Sequence, residues 1–143
     1  MMEIIENQLD VETYLSLRKK VTWKELSREQ AKKAIENSLL TICAVEDGTP
    51  VGMARMVGDG AVICYVQDLV ILPEAQGQGI GSKLLKYIKQ YAENLMEPGT
   101  EMMLDLMCAK GRESFYEKHG FIARPTKELG PGMICYLKKE EKV

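Results

Sequence analysis

Histidine and tryptophan occur once each in the 143 residues, and phenylalanine only twice. A single histidine, His119, leaves no paired imidazoles. The four cysteines, Cys43, Cys64, Cys108 and Cys135, lie far apart with no C-x-x-C among them. A zinc site needs such ligands clustered, so the sequence predicts no metal. Charge of one sign is lacking too: 19 Lys and Arg face 21 Asp and Glu, a net −2. That balance gives no general attraction for nucleic acid or an anionic membrane. No leader-like segment and no run of eighteen apolar residues is visible, so neither export nor a membrane span is expected. The dispersed cysteines then read as reduced, buried thiols of a cytoplasmic protein, acting as small hydrophobes.

No repeat, low-complexity stretch or linker interrupts the chain. Its length fits one domain over residues 1–143 with a sizeable core. Glu3–Asn7 reads as a first strand, followed by an approximate helical period to about Val21. Ser27 and Gln30 form a capping box before a second helix carrying Ala31, Ala34, Ile35 and Leu39. Thr41–Glu46 and Val51–Val57 flank Asp47-Gly48-Thr49-Pro50, a hairpin pattern. After the turn Gly58-Asp59-Gly60, a long strand runs over Ala61–Leu72, and Met102–Cys108 reads as a buried strand. Arg112–His119 is a short helix ended by Gly120, and Phe121–Ala123 and Met133–Leu137 are expected to complete the sheet. Helices inserted among strands give a mixed α/β sheet.

The densest information lies in VQDLVILPEAQGQGIGSKLL, residues 66–85. The β-branched run from Val66 to Leu72 is a strand that Pro73 ends. A short loop then delivers Gln76-Gly77-Gln78-Gly79-Ile80-Gly81 into a helix beginning near Ser82. That helix shows Leu84, Leu85, Ile88, Tyr91, Ala92 and Leu95 on one face, and Pro98-Gly99 stop it. Glycine lets a backbone turn sharply and approach a ligand closely. The helix's first-turn N–H groups have no internal partners, so loop and helix together form an anion site suited to a pyrophosphate. The spacing G-x-G-x-G is not the G-x-G-x-x-G of dinucleotide folds, and Gly81-Ser82-Lys83 is in the wrong order for a P-loop.

Gln76, Gly79 and Gly81 instead match Gln/Arg-x-x-Gly-x-Gly/Ala, and the string resembles motif A of the GCN5-related N-acetyltransferases (GNAT family). The resemblance covers nearly the whole chain and is tightest from Val51 to Phe121. It implies a single-domain acyl-CoA N-acyltransferase fold of the α/β class. In that fold a mixed, mostly antiparallel central sheet is flanked by helices, and its fourth and fifth strands splay apart. The resemblance further implies that main-chain groups of Gln76, Gly77, Gln78, Gly79, Ile80, Gly81 and Ser82 hold the pyrophosphate of acetyl-coenzyme A, a co-substrate. The backbone of Leu69, Val70 and Ile71 would pair with the pantetheine arm.

Ala109–Phe121 resembles the family's motif B, ending F-Y-x-x-x-G-F. Tyr116 then occupies the position of a tyrosine beside the coenzyme's sulfur. A phenol with a pKa near 10 is protonated at neutral pH and can supply a proton to a departing thiolate. Packing with Phe115 and Phe121 is the plainer reading of the same residue. Several relatives have Glu-Asp where this chain has Gln67-Asp68. Asp68 and Asp105, mid-strand in MMLDLM, each read as a general base, an anchor for a cationic amine, or a paired structural carboxylate. A water-mediated route is open as well. Trp23, between the first two helices, falls where the family has one wall of its acceptor site, and its ring suits an amine; it also reads as a lid on the core. Gln67 joins it as a candidate acceptor contact, and Gly130-Pro131-Gly132-Met133 belongs to the opposite wall.

His119 reads as a solvated helix end, the nine methionines mostly as core filler with Met102, Met103 and Met107 candidate ligand contacts, and Lys138–Lys142 as a solvated tail. The expected function is acetyl-coenzyme A-dependent transfer to a primary amine of a small molecule, by direct attack in a ternary complex without a metal. The alternative is a non-catalytic acyl-coenzyme A binding module on the same scaffold. A third, weaker reading puts another nucleotide in the glycine loop. Dimers in the resembled family make Met133–Leu137 a candidate homodimer interface.

Overall fold

The computed structural model describes residues 1–141. The chain forms two compact units, Met1–Met107 and Cys108–Val143. The first holds β1 (Met2–Glu6), α1 (Val11–Lys20), α2 (Arg28–Glu36), β2 (Leu40–Glu46), β3 (Thr49–Gly58), β4 (Ile63–Ile71), a 3-10 turn at Pro73–Ala75, α3 (Ile80–Leu95) and β5 (Met103–Leu106). The strands lie in sequence order, β1 to β4 antiparallel and β4–β5 parallel. A parallel pair cannot be joined by a hairpin, and α3 supplies the crossover.

Local chemistry sets the helix ends. Asp10 Oδ1 accepts the Thr13 N–H at 2.7 Å and starts α1, and Ser27 Oγ accepts the Gln30 N–H at 3.0 Å as its capping box predicts. On α3, Ile80, Leu84, Ile88 and Ala92 recur every fourth residue and bury against Leu40, Ile42, Ala44, Ala54, Met56, Cys64 and Val66 of the sheet. Each large side chain buried there contributes roughly 1.5–3 kcal/mol. On the other face Tyr14 and Leu17 of α1 and Ala31 of α2 pack with Cys43, Met53, Val70 and Leu72.

These two cores show that β4 changes phase along its length. Cys64 and Val66 belong to the α3 side, yet Val70 and Leu72 belong to the α1/α2 side, while Leu69 and Ile71 pack toward α3. Strict alternation would keep all even residues together. The pairing explains the switch: Met53 opposes Val70 and Arg55 opposes Gln67, so Asp68 and Leu69 together face Ala54. One extra residue is a β-bulge, and it moves every later side chain to the opposite face. Asp68 sits there with φ 58°, in the left-handed region. The β4–β5 ladder stops at Val66↔Leu106, although β4 runs on to Ile71. Beyond Val66 the β5-facing backbone of β4 has no ladder partner among the described residues.

Several expectations change. The long strand begins at Ile63 rather than Ala61, because Asp59 Oδ1 accepts the N–H groups of Ala61, Val62 and Ile63 and closes a turn. Strand β5 covers only Met103–Leu106 and is half-buried rather than buried, with Met103 and Met107 exposed. Of the nine methionines, only Met53 and Met56 are fully buried. Cys43 and Cys64 are buried as expected, but Cys108 and Cys135 are exposed. In the second unit α4 (Glu113–Lys118) forms, and Gly120 at φ 88° follows its end. His119 caps α4 half-buried against Phe115, at 5.1 Å between rings, instead of standing free in solvent. Phe121–Ala123 and Met133–Leu137 form no strand, and Met133, Ile134, Tyr136 and Leu137 are exposed. An apolar run becomes a strand only where a neighbour's backbone pairs with it. Lys142, at the end of the expected solvated tail, lies outside the described residues.

Gly58 closes the β3–β4 connection at φ 139°, where a Cβ would stand 2.4 Å from the Ile63 carbonyl oxygen and 2.7 Å from Cys64 Cα. Both obstacles are backbone and cannot swing aside. Gly58→Ala is expected to destabilise the protein by about 2 kcal/mol or more, read from its urea midpoint; an unchanged midpoint would contradict this geometry.

Candidate active site

The glycine loop leaves β4 through Leu72. Pro73–Ala75 make one 3-10 turn, with the Ala75 N–H donating to the Leu72 carbonyl at 2.9 Å. The Gln76 side chain reaches back and donates from Nε2 to the Ile71 carbonyl at 3.0 Å, fastening the loop to the strand end. Gly77 and Gly79 follow at φ 80° and 79°, and an added Cβ at either would find no heavy atom within 4 Å. Here glycine is required by backbone conformation, and the space outside the backbone is open. Gly81, by contrast, is already in α3.

The first helical bond runs from the Lys83 N–H to the Gly79 carbonyl at 3.1 Å. Ile80 and Gly81, in the first turn, therefore have no intrahelical acceptor. No side chain caps α3, and Gln76 to Gly79 are all exposed. An uncapped, sixteen-residue helix opening onto an exposed double left-handed turn presents its positive dipole end to solvent. This arrangement fits a diphosphate.

Asp68 is the most heavily bonded side chain of the region. Its side chain is 1% exposed. Oδ1 accepts from Arg18 Nη1 at 2.7 Å, and Oδ2 accepts from Arg55 Nε at 2.9 Å and from the Tyr14 hydroxyl. Gln67 Nε2 lies 3.4 Å from Oδ1, so Gln67 turns inward to this group. Arg18 continues outward: Nη2 donates to the Lys24 carbonyl at 2.9 Å, and its guanidinium lies 5.7 Å from the Tyr14 ring centre and 5.3 Å from that of Trp23. Trp23 is thus half a clamp on Arg18 and 39% exposed on its outer side. Of the three readings of Asp68, the geometry matches the paired carboxylate. Tyr14, Arg18 and Arg55 were absent from the sequence's candidates, because nothing local in α1 announces a partner 50 or 54 residues away, nor anything in β3 one 13 residues away; only Tyr14 and Arg18, one helical turn apart, share a helix face in the sequence.

Asp105 contrasts with it. It stands beside Tyr65 in the β4–β5 register, half-buried, and its Oδ1 is buried without a hydrogen-bond partner. Buried carboxylate oxygens normally have partners. No group of three or more His, Cys, Asp or Glu able to hold a metal occurs among the described residues.

In the second unit, Tyr116 lies on α4 with Phe115 edge-on at 5.1 Å and Phe121 at 5.9 Å. The packing reading of this tyrosine therefore holds within that unit. Burial first, then the nearby Cys108, push its phenol above the ordinary range, against a smaller opposing effect of Arg112. It remains a proton donor throughout neutral pH.

A mixed sheet whose fourth strand passes through an open glycine turn into the crossover helix is the arrangement of the GNAT acetyltransferase fold. Residues 37–123 match the acetyltransferase (GNAT) domain family, and the chain belongs to that family. A GNAT family acetyltransferase structure from Streptococcus pneumoniae is 30% identical, covering 97% of this chain and 100% of its own with a TM-score of 0.82. A probable acetyltransferase from methicillin-resistant Staphylococcus aureus is 27% identical with a TM-score of 0.83, covering 96% and 100%. An uncharacterised ycf52-like N-acetyltransferase of Prochlorococcus marinus is 30% identical over 121 residues, 82% of this chain. The chain spans 65% of that relative's length. No helix among the described residues is long and apolar enough to cross a membrane.

Burial first, and then its hydrogen bond to Asp68, raise the Tyr14 phenol above its ordinary value. A proton held more tightly in the folded state stabilises fully below the unfolded value near 10 and is lost as pH climbs through the folded one. Burial also raises the Cys43 and Cys64 thiols, which begin the same alkaline loss lower. Tyr14→Phe is expected to start less stable yet lose less of its urea midpoint than wild type between pH 8 and about pH 11. An equal or larger loss would show that Tyr14 contributes nothing to alkaline unfolding.

Proposed function

We propose that this protein is an acetyl-coenzyme A-dependent N-acetyltransferase for a primary amine of a small molecule. The observation that carries this reading is the open glycine turn: two left-handed glycines, empty space beyond them and an uncapped α3. Family membership supplies the donor, since the GNAT family uses acetyl-coenzyme A. The Gln76 N–H is already donated to the Pro73 carbonyl at 3.3 Å, so the backbone N–H groups over residues 77–81 would hold the diphosphate. The Gln67–Ile71 backbone, freed from β5 beyond Val66, would align the acyl arm.

The amine nitrogen attacks the thioester carbonyl, the new N–C bond forms, and the C–S bond breaks as the tetrahedral centre collapses. By the resemblance of residues 109–121 to the family's second motif, Tyr116 would give its phenolic proton to the departing sulfur. The nitrogen's surplus proton needs an acceptor. Asp68 has no oxygen to spare, being bonded to two guanidiniums and a phenol. Asp105, with its unpartnered Oδ1, takes that role, either anchoring the ammonium or accepting its proton directly or through water. Trp23 offers its exposed ring as a face for the acceptor. Much of the rate comes from holding amine and thioester together.

A thiol-release screen across amines, amino acids, polyamines and amino sugars tests the reading. At least one acceptor is expected to turn over, with coenzyme A competing and NAD and ATP not. Tyr116→Phe is expected to lower kcat by about 10²-fold at neutral pH, and Asp105→Asn to lower kcat/KM for the amine at least as much. Coenzyme binding without any amine-dependent thiol release would favour a non-catalytic acyl-coenzyme A module. Full turnover by Tyr116→Phe would remove it as the acid.

A further inference from the structure

We infer that Asp68 is a positioning residue, locking the β4 bulge so that the backbone of Gln67–Ile71 is held in the phase that aligns the acyl donor. The inference rests on the acetyl-transfer reading above but assigns a task that reading leaves open.

Three observations meet at this residue. Asp68 is the extra residue of the bulge, and its φ of 58° is a conformation that non-glycine residues avoid. A strained position persists only where its surroundings over-determine it. Here they do: Tyr14 and Arg18 come from α1, Arg55 from β3, and all three donate to one carboxylate whose side chain is 1% exposed. Glycine adopts such a φ at less cost, as at Gly48, Gly60, Gly77, Gly79 and Gly99, while Asn7, Thr22 and Asp47 adopt it on the exposed surface. Asp68 differs from those three in being buried with three donors on its carboxylate, so here the side chain, rather than the backbone alone, is needed.

The consequence of the lock is phase. Without the extra residue, Leu69 and Ile71 would exchange faces with Val70 and Leu72, and every N–H and C=O beyond Gln67 would point the opposite way along the sheet. The stretch so controlled is the one whose β5-side ladder has ended. Gln76, which fastens the glycine loop, bonds to the carbonyl of Ile71 at the end of that stretch. The carboxylate thus fixes both the donor-aligning backbone and the anchor point of the phosphate loop.

Hydrogen exchange and kinetics on the full chain test this. Tyr14→Phe removes one donor and leaves both ion pairs; Asp68→Asn keeps the shape and a residue tolerant of left-handed backbone but removes the charge. In the free protein, both are expected to speed exchange at residues 67–71 by about tenfold or more while β2 exchanges as in wild type. In thiol release at saturating acetyl-coenzyme A, kcat is expected to fall about tenfold or more, with the dissociation constant of coenzyme A, measured by calorimetry, within about threefold of wild type. Should Asp68→Asn fail to fold, Tyr14→Phe alone decides. Unchanged exchange at 67–71, or exchange that quickens equally in β2, would overturn the lock. Unchanged kcat in an active protein would overturn the positioning role. Wild-type protein that binds no coenzyme A would instead overturn the proposed function, with the exchange arm still deciding whether Asp68 holds the bulge.

Discussion

One buried carboxylate joins α1, β3 and β4. Asp68 faces two guanidiniums, so the cluster carries a surplus positive charge in a place where charge is expensive. The surplus is distributed rather than cancelled. Arg18 gives a second N–H to the Lys24 carbonyl and lies between the rings of Tyr14 and Trp23, while Arg55 reaches the Ser38 hydroxyl at 3.3 Å and also lies 5.9 Å from the Tyr14 ring centre. Carbonyl dipoles and aromatic faces are the ligands that a cation accepts in a dry interior. Removing the carboxylate alone would strand both guanidiniums, a more costly change than replacing the whole cluster by apolar residues.

The sheet takes its two-sided construction from this point. Upstream of Asp68, β4 gives Cys64 and Val66 to the α3 core; downstream it gives Val70 and Leu72 to the α1/α2 core. A helix on each face demands apolar residues on both faces of the central strand. The bulge fixes which residue serves which face. The same segment then loses β5, gains the Gln76 tether and opens into α3. Packing and the candidate chemistry thus share a few residues, and the buried charge sits where they overlap.

The two aspartates illustrate what chemistry alone leaves undecided. In sequence both are isolated acids in apolar strands. In the fold, one has its oxygens engaged by three donors, and the other keeps a buried oxygen with none. The two separate because Tyr14, Arg18 and Arg55 converge on Asp68, whereas Oδ1 of Asp105 has no such donor.

What the sequence determined by itself was local. Gly77 and Gly79 permit left-handed backbone whatever surrounds them, Ser27 caps the helix that follows it, and Ile80, Leu84, Ile88 and Ala92 repeat at the helical period. Each of these signals lies within a dozen residues of what it controls. Tertiary structure decided the rest: that Asp68 meets Tyr14 and Arg18, that β4 slips phase in mid-strand, that Cys108 is exposed while Cys64 is buried, and that Met133–Leu137, apolar as it is, makes no strand. The physical reason is common to all four. Ion pairs, bulges, burial and β-ladders are completed by partners distant in the chain, and a sequence states what a residue can offer without stating who will accept it.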